Sequence, residues 1–234
     1  LDTVAAQILC ETLEIDDLSL VEVRSDTVSG AMAGSTTASR GTFQLGNAVI
    51  DAGRALAQAV EQTPGGLAAL AGREFQGRYE STGTQADGEP GHVRSHVSYS
   101  FATHLAILDD AGAVTRVVAA HDAGRVMNPL LCEGQVEGGV AMGLGYALSE
   151  RLPLEGGRLQ SVKLAALGMP KPLDMPEVEV ILIQGHDPEG PYGAKGVGEI
   201  GCIPTAAAVA NAFYRFDGRA RRRLPLDKPK REQQ

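Results

Sequence analysis

The chain has 234 residues, 43% of them apolar, which is enough to bury a core of its own; with aromatics at 4% and no Trp, that core must come mainly from Ala, Val, Leu and Ile. A formal charge of −8 argues against nucleic-acid binding, and no run approaches the roughly 18 apolar residues of a membrane span. The start lacks a secretory pattern, and the three cysteines (Cys10, Cys132 and Cys202) form no Cys-x-x-Cys pair. A disulfide framework, a zinc site or an iron–sulfur site within this chain is therefore not expected, no metal-ligating set is expected from its side chains, and a cytoplasmic location is the expectation. The first residue is Leu1 rather than Met, which reads as a fragment or a processed piece.

In chain order, Val4, Ala5, Ile8, Leu9 and Leu13 recur at helical spacing over residues 3–13, and residues 18–23 alternate like a strand. A polar loop over 25–37 leads into a long Ala-rich helix over 40–62, stopped by Thr63-Pro-Gly-Gly66, with a short helix over 67–71. Beyond a loop at 81–91, residues 92–108 alternate as a long strand, Asp109-Asp-Ala-Gly112 turns, and 113–120 forms a second strand. A helix over 134–150, a strand over 177–183 and a helix over 204–216 complete the set, with no tandem repeat. Helices mixed with at least one hairpin indicate an α+β fold of mixed sheets and packed helices. Residues 1–80 are expected to form a first subdomain, 81–226 a second, and 227–234 a basic tail. The cluster Arg215, Arg219, Arg221, Arg222, Arg223, Lys228, Lys230 and Arg231 reads as a solvated run or as a docking strip for an acidic partner.

Residues 190–199, Gly-Pro-Tyr-Gly-Ala-Lys-Gly-Val-Gly-Glu, form the most informative stretch. Four glycines in ten residues let the backbone take positive φ and approach another group closely. The stretch closes on Glu199 just ahead of a helix, where amides favour an anion or an oxygen-rich ligand. Glu199 is then a carboxylate at a crowded, partly dehydrated site, suited to base work, or simply a helix cap. Lys195 follows Ala194 and precedes Gly196, so the spacing is not that of a nucleotide-triphosphate phosphate loop.

Two further segments share this style. Residues 34–42 combine small residues and hydroxyls ahead of the long helix, either as a phosphate-holding nest or as a capping run in which Ser39 or a nearby Thr satisfies the first amides. Residues 121–145 carry His121, Asp122, Arg125, Asn128 and Gln135 among Gly134, Gly138, Gly139, Gly143 and Gly145. Helical glycine costs about 1 kcal/mol against Ala, which implies close packing against the helix. Asp122 and Arg125 could pair as a clamp, and His121 reads as a core or capping residue rather than a ligand.

Taken in order, Thr36-Thr-Ala-Ser-Arg-Gly41 with Gly46-Asn-Ala-Val49, Asp122-Ala-Gly-Arg with Asn128-Pro129, Gly134-Gln-Val-Glu-Gly-Gly139, Asp174-Met-Pro176, the 190–199 loop and Leu224-Pro225 resemble the molybdenum hydroxylase family of xanthine dehydrogenases and aldehyde oxidoreductases. The resemblance runs from residue 1 to about residue 226 and implies a C-terminal part of the molybdopterin-binding subunit.

The resemblance further implies that Glu199 is the catalytic base in oxidation of an electron-poor carbon of a purine, N-heterocycle or aldehyde, with water as the oxygen source. It implies that Thr37, Ala38, Ser39, Arg40 and Gly41 hold pterin or phosphate atoms through backbone amides. Gln135 would lie beside the metal or pterin, Gly198 would flank the metal, and Lys195 would orient the loop or pair with a carboxylate. The implied cofactor is molybdenum–molybdopterin, with the cytosine dinucleotide among its forms; iron–sulfur clusters and FAD are expected on other domains or subunits. The implied partners are the N-terminal molybdopterin-binding part, those electron-transfer modules and a small-molecule substrate. The family's Gly-Gln-Gly-type and Gly-Gly-Phe-Gly-type cofactor segments are missing from these residues, so the chain alone would hold about half a cofactor site. A homologous non-catalytic assembly module and a metal-free enzyme using the Ser39 nest for a phosphate ligand are the competing readings.

Overall fold

A computed structural model describes residues 1–28, 30–31, 33–81 and 96–230. The chain divides into two compact units: residues 1–100, 123–128 and 184–196 form one, and residues 101–122, 129–183 and 197–234 the other.

The first unit is built on α1 (Asp2–Leu13) and α2 (Gly41–Gln62). Its buried positions on α2 are Phe43, Gly46, Ile50 and Gly53, a 3.6-residue period that presents one stripe to α1. Ala5, Ala6, Ile8 and Cys10 answer it from α1. Small residues on the stripe set the helix approach: a Cβ at Gly53 would lie 2.8 Å from the Thr12 methyl, and one at Gly46 would lie 2.6 Å from Pro191. The first helix ends on Glu14 in the left-handed region (φ 55°), and α2 ends at Thr63, ahead of Pro64.

The second unit holds a three-stranded mixed sheet. Strand β1 (Ala102–Leu108) pairs antiparallel with β2 (Val114–Asp122), from Ala102 opposite His121 to Leu108 opposite Val114. After α3 (Pro129–Leu148) and a small hairpin of β3 (Leu154–Glu155) and β4 (Arg158–Leu159), strand β5 (Glu177–Ile183) runs parallel to β2. The last helix is α4 (Thr205–Asp217). Ala106, Val117 and Ala119 on the inner sheet face meet Val136, Val140, Leu144 and Ala147 of α3 and Val209 and Phe213 of α4. Each fully buried Val, Leu or Phe there contributes about 1.5–3 kcal/mol. Helices on a mixed sheet give the α+β class expected from the element order.

Several elements depart from their sequence expectation. Residues 18–23 form no strand: Leu18–Leu20 is a 3₁₀ turn capped by the Asp17 carboxylate on the Ser19 amide (2.9 Å), and Leu18 and Leu20 are exposed. Alternation there is not matched by burial, which is what selects a strand. Residues 67–71 are likewise a 3₁₀ turn, Gly66–Leu70. The strand expected over 92–108 is confined to Ala102–Leu108; residues 92–95 of it lie outside the described ones. Helix α3 begins at Pro129, five residues before the glycine run, because proline's fixed φ suits the first helical position. The basic run is not uniformly solvated. The Arg221 side chain is 8% exposed and forks onto the fully buried Asp217 carboxylate (2.6 and 3.1 Å), its guanidinium 5.1 Å from the Phe213 ring. Leu226 reaches the core, its amide donating to the Ala147 carbonyl at 2.7 Å.

Candidate active site

The Thr37–Gly41 segment lies in the first unit and enters α2 in an unusual conformation. Ala38 (φ 51°) and Ser39 (φ 56°) are both left-handed, which costs non-glycine residues on the order of 1–3 kcal/mol each and persists where surroundings enforce it. The N-cap position is taken by Arg40, whose own side chain does not cap the helix. Opening amides of α2 are left to other partners. The Arg40 guanidinium folds back onto the Ser35 carbonyl, with Nε at 3.0 Å.

The glycine loop packs on this segment within the same unit. Gly196 faces the Ser39 carbonyl so closely that a Cβ would overlap that oxygen. The loop is held by a ladder with residues 123–125: the Lys195 amide donates to the Ala123 carbonyl (3.0 Å), the Arg125 amide donates to the Gly193 carbonyl (2.9 Å), and Gly124 bridges Ala194. A side chain at Gly124, itself at φ 62°, would meet this ladder 2.8 Å from the Lys195 amide. Residues 123–125, which follow Asp122 in the Asp122-Ala-Gly-Arg motif, thus hold the glycine loop by backbone hydrogen bonds. Arg125 pairs with Glu11 at 2.9 Å and lies 5.4 Å from the Tyr192 ring. Lys195 donates to the Tyr99 carbonyl at 2.8 Å.

Sequence reasoning missed Asp187, which organises the base of this loop. The residue is 6% exposed; its carboxylate accepts from the Glu189 amide (3.0 Å) and from the Ser98 hydroxyl, and its carbonyl accepts from the Gly190 amide. Its signal is Asp-Pro followed by Glu-Gly, a turn signature whose Asp side chain bonds its own backbone two residues on.

In the second unit, Gln135 and Gly198 are brought together directly: Gln135 Nε2 donates to the Gly198 carbonyl at 2.8 Å. Glu199 follows at once, its carbonyl accepting from the Cys202 amide at 3.2 Å. Gln135, Gly198 and Glu199 are exposed on this chain. The crowded, partly dehydrated setting expected for Glu199 is therefore not supplied by these residues. Five residues beyond Glu199, Pro204 is the N-cap of α4, with no side-chain cap.

His121 is a core residue, wholly buried, and its partner was not anticipated. Its Nε2 lies 2.7 Å from His104 Nε2, and His104 Nδ1 lies 3.1 Å from Thr205 Oγ1. Burial holds both imidazoles below their usual range, and the neighbouring His121 adds to the effect on His104, which is lowered to about 4. The His121 Nδ1 atom is buried without a hydrogen-bond partner. Among the described residues no group of three or more His, Cys, Asp or Glu side chains could hold a metal ion.

The family described as molybdopterin cofactor-binding domain matches residues 1–176. The chain is 40% identical over 120 residues to the xanthine dehydrogenase molybdenum-binding subunit of Escherichia coli O157:H7, covering 50% of this chain and 16% of that protein. It is 30% identical over 248 residues to the 6-hydroxypseudooxynicotine dehydrogenase complex subunit gamma of Paenarthrobacter nicotinovorans, covering 91% of this chain and 31% of that one. The aldehyde oxidoreductase structure from Desulfovibrio gigas superposes with a TM-score of 0.82 at 27% identity, covering 95% of this chain and 26% of that one. The chain thus spans less than a third of the length of these relatives. With three quarters of its length matched, including the α2 entry and the α3 glycines, this chain belongs to the molybdopterin cofactor-binding domain family.

Proposed function

We propose that this chain forms part of the catalytic portion of a molybdenum-dependent oxidoreductase that oxidises an electron-poor carbon of a purine, N-heterocycle or aldehyde, with Glu199 as its general base. The observation that carries the reading is the Gln135–Gly198 hydrogen bond, which fixes the backbone one residue ahead of Glu199. Residues of the first unit fit an anionic, oxygen-rich cofactor: two consecutive left-handed residues lead into a helix without a side-chain cap, a backbone arrangement that offers N–H groups to phosphate or pterin oxygens. Thr37, Ala38, Ser39, Arg40 and Gly41 hold the group in this reading, and Gly198 flanks the metal.

Bound molybdenum–molybdopterin supplies two-electron redox chemistry, water being the oxygen source. Gln135 holds the Gly198 carbonyl and so sets where Glu199 begins. Glu199 takes up a proton at a carboxylate oxygen; a positioned base of this kind contributes about 10²–10⁴-fold. Its exposure on this chain makes the remaining part of the subunit the element that excludes water and completes the substrate pocket. Iron–sulfur and flavin modules on other domains or subunits would take the electrons, the cytosine dinucleotide is among the forms open to the pterin, and the enzyme works in the cytoplasm. Turnover and molybdenum content of a Glu199→Gln variant of the complete protein test the assignment.

A further inference from the structure

Glu199 opens a short rise of two overlapping turns, in which the Cys202 amide donates to the Glu199 carbonyl (3.2 Å) and the Ile203 amide to the Ile200 carbonyl (3.3 Å). Helix α4 starts immediately afterwards at Thr205. This rise lies along α3. A Cβ at Gly139 would stand 2.6 Å from the Gly201 Cα, and one at Gly143 would stand 2.5 Å from the Thr205 Cβ. These two helical glycines exist so that the rise can rest on the helix, and they fix it sideways. The near end is fixed by Gln135 on the Gly198 carbonyl.

The far end is fixed by the histidine pair. Thr205 is wholly buried, and its hydroxyl meets His104 Nδ1 at 3.1 Å. A bond between two Nε2 atoms at 2.7 Å requires one to carry the proton and the other to be bare. If His104 carries it, its Nδ1 is bare and accepts from the Thr205 hydroxyl. If His121 carries it, His104 Nδ1–H donates to Thr205. In both senses the chain from β2 through β1 to the first residue of α4 is unbroken, and neither ring can turn without losing a buried hydrogen bond. The proton transfer of the proposed reaction does not use these groups, yet they sit where the segment bearing Glu199 meets the core.

We propose that His121, His104 and Thr205 form a buried polar tether that positions Glu199 by anchoring the far end of its turn, making all three positioning residues rather than catalytic ones. The inference rests on the reading of Glu199 as the base.

Amide hydrogen exchange over residues 199–203 of the complete protein, measured with steady-state kinetics, tests it in Thr205→Val and Thr205→Ser, with Glu199→Gln alongside. Thr205→Val keeps the side-chain shape and removes the hydroxyl, and one lost hydrogen bond corresponds to about tenfold faster local exchange. We expect that increase over residues 200–203, a fall in kcat of about tenfold from the displaced carboxylate, an unchanged KM and unchanged molybdenum content, with Thr205→Ser restoring both exchange and kcat. Wild-type exchange in Thr205→Val, or equal loss in the Val and Ser variants, overturns the tether. Should Thr205→Val fail to accumulate, His121→Phe, which leaves His104 Nε2 unpaired, is expected to loosen the same amides, and unchanged exchange there overturns it equally. Normal turnover in Glu199→Gln removes the base reading and leaves the exchange result to decide the anchoring by itself.

Discussion

Gly196 rests its Cα against the carbonyl oxygen of Ser39, leaving no room for a side chain. The contact joins two segments separated by more than 150 residues of chain, the left-handed entry to α2 and the glycine loop that runs on to Glu199. Gly196→Ala must therefore displace backbone rather than a flexible side-chain end. The expected result is a loss of about 1–3 kcal/mol in stability together with reduced molybdenum content in the complete protein, read by denaturant titration and metal analysis.

The buried histidine pair makes stability acid-sensitive. Both imidazoles are held below the unfolded value of 6.5, His104 down to about 4. Between those pH values the unfolded chain binds more protons than the folded one. Stability is therefore complete above about pH 6.5 and falls as pH drops toward 4, by an amount on the order of 2–3 kcal/mol. Chemical denaturation across this range should give a positive slope of stability against pH that flattens in His104→Leu.

Asp217 ties the end of α4 to the segment that follows it. Its carboxylate takes two bonds from Arg221 and one each from the Arg219 and Lys230 amides (3.0 and 3.1 Å). The Arg221 fork holds its pKa well below the usual carboxylate range. Asp217→Ala leaves Arg221 buried without its counter-charge, and the expected cost is about 3–5 kcal/mol. Arg221→Met with Asp217→Leu should recover most of it, as measured by urea unfolding.

The elements written in local periodicity were legible in the sequence. Phe43, Gly46, Ile50 and Gly53 announce α2, and the strand at 177–183 has the bounds its apolar alternation suggests. Leu18 and Leu20 misled because alternation without burial specifies nothing. The β3–β4 hairpin carried a readable signal that went unused: Gly156 and Gly157, both at positive φ (55° and 78°), supply a tight two-residue turn. What stayed hidden depends on pairs distant in sequence. Nothing near Ala123 announces Lys195 as its partner, and nothing near His121 announces His104 and Thr205. The chemical side chains of the candidate site, Glu199 and Gln135 among them, were legible as residues. Their surroundings were not, because burial is a property of the assembled chain, and Glu199 is exposed here.

Turnover by the complete molybdenum-loaded protein carrying Glu199→Gln tests the central claim most directly. The substitution keeps size and shape while removing the basic oxygen. With Glu199 as the base, kcat falls by about 10²–10⁴-fold with molybdenum content and unfolding midpoint unchanged; turnover within a few-fold of the wild type, at equal loading, would contradict that role.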